Sequence, residues 1–416
     1  WGLRSGFVKI GKFAMQTLPE RKVGPLFIIV LGTITAFLPL SLHIFFPALP
    51  DVKAEFMTTE AIANLTVSLP LFVMAFASLF YGSLSDRYGR RPVLLGSIAL
   101  FVVGSVFAAL TENIALLIAG RVLQAAGGGG GLGLARTIAR DVFGADRLVK
   151  VISYLTIAYA LGPMISAPIG GVLVDYGGWR AVLVSAGAFG ALLGVVCWRV
   201  MFETHTNRSL AGVRFTPVQD YRRLFANAKF SAYVLQSGFS TGVFFTMAAA
   251  TSFLMIEYLG RPAGEFGRYF MFFPAGFITG SIISSRLAGR VSPEKMVFAG
   301  SVILAVASLT QAGFLFAGIV TPLTIFIPGY FVILAQGISL PNAQSGAIVV
   351  AGPMAGTGSG IGVFIQLLAA GVFTQIYGLM ADGTPFPMAA IVSVCSIFAL
   401  VVGVIPFLLS RRQVSS

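Results

Sequence analysis

Charge is scarce in this sequence. Only 10% of its 416 residues are Asp, Glu, Lys or Arg, whereas a domain whose whole surface faces water carries roughly 25%. Acids are scarcer than bases, 15 against 28, and none lies deep in an apolar run. Histidine and cysteine occur twice each. Cys197 and Cys395 both sit inside apolar runs, where a free thiol behaves as a small packing residue, so neither a disulfide framework nor a thiolate metal site is expected. With two histidines, no clustered acids and no H-E-x-x-H, the chain has no foothold for enzyme chemistry, and no cofactor or metal is expected. What it has is apolar mass. Hydrophobic residues make up 56% of the chain, and they come in blocks of about 20, enough to cross a ~30 Å hydrocarbon core.

Twelve such spans are expected, at 25–46, 61–83, 92–111, 114–135, 149–173, 179–201, 229–256, 266–287, 295–317, 320–342, 356–379 and 386–409. An even number puts both chain ends on one side. On that side fall 23 of the 28 lysines and arginines, leaving Lys53, Arg180, Arg261 and Arg268 opposite and Arg121 within a span. Basic residues accumulate in cytoplasmic loops, so both ends are expected to be cytosolic. The net charge of +13 is thus a topology signal, and nucleic acid is not needed to explain it. Residues 1–24 read as a cytosolic tail, 25–202 as one six-helix half, 203–228 as a polar linker, 229–410 as a second half and 411–416 as a short tail. Two matched halves are what a repeat-built transporter shows.

The turn after span two reads Gly82-Ser-Leu-Ser-Asp86-Arg87-Tyr-Gly89-Arg90-Arg91-Pro92. A glycine turn anchored by arginines explains its composition, but not the order of the whole string. That order resembles the G-x-L-x-D-R-x-G-R-R motif of the major facilitator superfamily, at the position where that family carries it. The resemblance implies an all-α integral membrane fold, twelve helices in two pseudo-symmetric six-helix halves. It also implies that Asp86 meets the start of span eleven near 354–357, and that Arg90 pairs with Asp141, forming a conformational lock. The matching stretch Gly280–Arg290 looks like a degraded copy without the acid.

Other stretches resemble the drug:proton antiporter branch and its bicyclomycin and chloramphenicol exporters. Arg121-Val-Leu-Gln124 is similar to the R-x-x-Q motif of span four. Gly162-Pro163 through Pro168-Ile-Gly170-Gly171 is similar to the antiporter motif of span five, with altered proline spacing. Pro39 through Pro50, Met354–Ser359 and Phe202-Glu203-Thr204 fit the same subfamily. Taken alone, glycine and proline in span five are equally consistent with close helix packing. The run Gly127–Gly133 also contains a G-x-G-x-x-G pattern, but inside a membrane span it reads as packing, not as a nucleotide site.

Arg121 is the only lysine or arginine in the membrane interior. Placing it there costs on the order of 3 kcal/mol, so a functional role is the default reading, with a purely structural one as the alternative. Where the resembling exporters carry a helix-1 acid, this chain has His43. Helical rise puts His43 and Arg121 at similar depth, which suggests one shared cavity with Gln124, used for proton coupling or substrate. A neutral, hydrogen-bonding histidine without a proton role is the competing reading. Without a buried acid, the cavity suits neutral or anionic compounds, phenicol-like or bicyclic, better than organic cations. Tyr154, Tyr159, Gln236, Phe272, Phe273 and Gln366 are candidate contacts, each also readable as helix packing.

The expected activity is export of small hydrophobic compounds by alternating access, coupled to protons by resemblance, from a monomer in the bacterial inner membrane. The alternative is a dedicated exporter or exchanger of an endogenous metabolite, such as a siderophore or amino-acid derivative, without coupling through His43.

Overall fold

The computed structural model describes residues 24–204 and 218–414; the tail up to residue 23, half of the linker (205–217) and the last two residues lie outside it. Among the described residues the regular structure is helical. Nine helical stretches among the described residues are long and apolar enough to cross a membrane. Two of them, Ile157–Val200 with 44 residues and Pro322–Met380 with 59, hold two crossings each, since about 20 residues suffice for one. The helix Ile114–Gly128, continued from Gly131, supplies the remaining crossing. The total is twelve.

Span boundaries follow local chemistry. Span one is Pro25–His43, with Pro25 in the first turn where its missing N–H costs nothing. Span two, Glu60–Tyr88, begins at Thr59, whose hydroxyl accepts from the Ile62 amide. Span ten, Pro322–Ala351, starts from a capping box of Thr321 and Thr324, which places the break between spans nine and ten at Gly318–Thr321. Spans four to six differ from the sequence expectation. The loop expected between spans four and five is helical, inside the run Gly131–Val200. That run breaks at Gly178, whose φ of +65° only glycine adopts readily. The Trp179 amide just beyond it donates to Asp51 instead of to its own helix. Two further boundaries move: span ten runs on to Ala351, and the last helix to Val414. Within the expected linker, Val218–Ala226 is helical, with Leu224 buried.

Packing defines two faces. The terminal face carries the turn at Gly82–Pro92 and the end of the last helix; the distal face carries Lys53, Gly178 and Glu257. On the distal side one large core joins residues of both halves, including Phe45, Phe46 and Trp179 with Phe245, Phe266 and Phe326. On the terminal side the core is split. One cluster around Phe27, Leu94 and Leu155 belongs to the first six spans, and another around Phe230, Ala343 and Ile361 to the last six. The halves are therefore closed distally and parted toward the terminal face.

Candidate functional site

The distal closure is the most densely bonded contact between the halves. At the head of span two, Glu60 is buried and its Oε2 accepts from Tyr377 of span eleven at 3.1 Å. Lys53 lies 3.4 Å from Glu60 and 2.5 Å from Glu257 of the opposite half. Further along span two, Ser68 donates to Gln375 at 2.7 Å, and Gln375 donates to the Ala61 carbonyl at 3.0 Å.

On the other flank the Gly264 amide donates to Asp175 at 2.8 Å. There the glycine-proline stretch of span five meets both halves. A side chain at Gly162 would press on Ala36 and Pro39 of span one, and at Gly170 it would collide with the Ile44 carbonyl. Gly171 faces the Ala263 carbonyl and Gly264 across the seam, and Pro168 lies against Gly267. Pro163 lies inside the same helix, next to Gly162.

The terminal face looks different. Arg90 is buried; its Nε donates to Asp141 at 3.0 Å and its Nη1 to Ser85 at 2.5 Å. Asp86 does not meet residues 354–357 as the family motif suggests. It is 60% exposed and pairs with Arg90 at 2.5 Å, within its own half. The reason is the parting of the halves. Spans two and eleven still touch at Phe76–Phe364 and Leu79–Gly360, but Gly82, one turn on, has open space around it. Arg87 lies over Tyr88, and Arg91 donates to the Trp198 carbonyl at 2.7 Å. Gly89 turns the chain at φ +99°. Glu203 packs beneath it and accepts from the amides of Arg90 and Arg91, at 2.9 and 3.4 Å, which caps span three with a carboxylate.

In the membrane interior the structure separates two residues that helical counting placed together. Arg121 is buried inside the first half: its Nε donates to the Thr66 carbonyl at 3.1 Å, its Nη1 to Gln124, and its guanidinium lies 4.2 Å above the Phe45 ring. Gln124 donates onward to Ser105 at 2.7 Å. His43 points elsewhere. Its Nδ1 lies 2.6 Å from the Pro39 carbonyl; a carbonyl only accepts, so that nitrogen carries the proton. The ring then meets Phe46 of its own chain segment and Phe244, Phe245 and Phe270 of the other half, at centroid distances of 5.5 to 6.2 Å. Its Nε2 is buried and without a partner among the described residues. The shared His43–Arg121 cavity is thus replaced by two environments, a polar web inside one half and an aromatic box across the seam.

The remaining candidates also divide. Gln236 donates to Ser301 at 3.2 Å and packs on Gly403, inside the second half. Phe273 is buried against Phe270 and Phe326. Gln366 accepts from Gln344 at 3.4 Å. Phe272 stacks on Tyr269 and is exposed, as is Tyr154. Tyr159 is exposed too, within electrostatic reach of Arg136. Sequence reading missed Glu60 and Gln375, and gave Glu203 only as part of the stretch Phe202-Glu203-Thr204, with no partner. The first two gained no weight because Glu60 meets Tyr377, and Gln375 meets Ser68 and Ala61, only across the seam.

The family profile described as the Major Facilitator Superfamily matches residues 29–374. The bicyclomycin resistance protein homolog of Haemophilus influenzae is 25% identical over 92% of this chain and 96% of its own. Multidrug resistance protein D of Escherichia coli is 27% identical over 87% of this chain and 90% of its own. Among solved structures, a bacterial homolog of the human lysosomal transporter Spinster, inward-facing and unoccupied, superposes with a TM-score of 0.73 over 92% of this chain and 96% of that one, at 17% identity. A D-xylose-proton symporter gives 0.72 over 90% and 97%, at 14% identity. At these identities the structures speak to the fold alone.

Proposed function

This chain belongs to the Major Facilitator Superfamily, and from that premise we propose that it is an exporter of small hydrophobic, neutral or anionic compounds, driven by proton antiport. The observation that carries the export reading is the span-five glycine-proline stretch, which resembles the antiporter motif and sits where it controls closure: Gly171 and Pro168 abut Ala263–Gly267 across the distal seam. The halves, 25–202 and 229–410, rock about this seam, and the terminal face is cytosolic by its basic residues. The protein acts as a monomer in a bacterial inner membrane. In the present state the substrate path opens to the cytosol.

The substrate class follows from the box around His43. Phenyl rings of both halves surround one fixed acceptor nitrogen with no partner. Such a site rewards an apolar body carrying one hydroxyl or amide donor, because an unmade bond to a buried acceptor is costly. No carboxylate contacts His43 or Arg121 among the described residues, so organic cations gain nothing there.

The test is uptake of a labelled phenicol antibiotic into proteoliposomes, with and without an imposed pH gradient, for the wild type and His43→Ala. Gradient-driven uptake that falls at least about tenfold in the variant supports proton-coupled export through this box. Movement that ignores both the gradient and the substitution makes the protein a facilitator or an exchanger of another solute.

A further inference from the structure

The chain lacks the acid that resembling exporters carry in span one, yet it buries a different one at the distal seam. Glu60 is 6% exposed, and its two oxygens are divided between halves, Oε1 facing Lys53 of its own half and Oε2 the Tyr377 hydroxyl of the other. We propose that Glu60 is a proton-binding site, loaded when the distal seam closes and unloaded when it opens. The proposal rests on the transport reading only for which compartment supplies the proton.

The charge balance of the closed seam carries it. The titratable and charged groups facing Glu60 are Lys53 before it, Glu257 on the π-helical turn Leu254–Tyr258, and Tyr377 on span eleven. Asp382, in the following loop, acts on Tyr377 from outside. One ammonium therefore serves two carboxylates, and the triad of Glu60, Lys53 and Glu257 carries one uncompensated negative charge, with Glu60 its one enclosed member. Enclosing such a charge away from water is unfavourable unless it is neutralised.

Geometry decides which acid yields. Glu257 is 34% exposed and 2.5 Å from Lys53, so water and the ammonium both support its charge. Glu60 is nearly enclosed and 3.4 Å from the same ammonium, so it is the one that takes the proton. When the halves part distally, Lys53 stays with Glu60 on one side and Glu257 meets water on the other. Each charge is then satisfied, and the proton leaves. No bond other than O–H forms or breaks. Protonation removes one charge from the seam, and the acid keeps its contact with the Tyr377 oxygen. Closing the seam thus takes up a proton, and acid favours the closed state.

The experiment uses no substrate, so it stands or falls apart from the export reading. Spin labels are placed at Leu110→Cys and Ile319→Cys, exposed distal positions in opposite halves, in full-length protein with Cys197 and Cys395 replaced by alanine. Their separation is measured in detergent from pH 8 to pH 5. The ratio of closed to open molecules is expected to rise by about tenfold with acid, the change that one unit of difference in proton affinity between the states produces. Glu60→Gln should be closed throughout and flat with pH. Tyr377→Phe removes a donor to the ionised carboxylate and should move the transition to higher pH. It also serves if Glu60→Gln does not fold. A wild type without pH dependence, a Glu60→Gln variant that keeps it, or a Tyr377→Phe transition that stays in place overturns the proposal.

Discussion

Spans two and eleven run side by side, and their two ends behave as opposites. At the distal end they are bonded through Glu60–Tyr377, Ser68–Gln375 and Gln375–Ala61. At the terminal end the same pair is parted beyond Leu79–Gly360, and Gly82 faces open space. The bonded end joins groups across the halves. The parted end keeps its charges at home, with Arg90 holding Asp86, Ser85 and Asp141 of its own half. Polar groups at the closed end must exchange partners when the molecule turns over, while those at the open end already have internal partners to fall back on. Such a design lets either face open without leaving a buried charge alone, which would be costly.

That contrast can be broken at its densest point. Gly171→Leu places a side chain against the Ala263 carbonyl and Gly264. It is expected to shift the labelled pair at 110 and 319 to the distal-open distance and to lower transport at least about a hundredfold, since overpacking costs about 1–3 kcal/mol or more. Arg90→Ala removes the buried cation from Asp141, leaving it only the exposed Arg140 at 3.8 Å, and should lower unfolding stability by about 3 kcal/mol. Chemical denaturation in detergent measures this, and a loss under 1 kcal/mol would mean that Asp141 is satisfied by water. Gln375→Leu deletes two bonds across the seam, each contributing about 1 kcal/mol; the ratio of closed to open molecules should fall roughly thirtyfold, with little change in unfolding. The smallest effect is expected from Gly82→Ala. In the present state its added methyl meets nothing, so stability should change by less than about 0.5 kcal/mol. Any defect should appear only as a smaller distal-open population, when span eleven returns to the terminal end of span two.

Much of the fold was legible because membrane spans are written in long apolar blocks and basic loops, which need no tertiary information. The loop string around Arg90 and Asp141 was legible for a related reason: its residues act within one half. His43 and Arg121 were misjudged because helical rise gives depth but not direction. Span one ends at His43 and passes into a short 3₁₀ turn at Phe46–Ala48, which aims His43 and Phe45 differently. Gln236 was misjudged in the same way, since its partner Ser301 lies within the second half. Glu60 begins its helix one residue before the expected span, and its burial comes from Tyr377, which no local pattern announces.

Glu203 makes the first bundle a closed hoop. The chain leaving the sixth span is fastened, two residues before it passes into the segment 205–217, to the head of the third span. A pull travelling along the connection between the halves therefore loads the corner where spans two, three and six meet, and does not peel the sixth helix from its neighbours. The tether tugs on a frame, so the bundle can be swung as one piece.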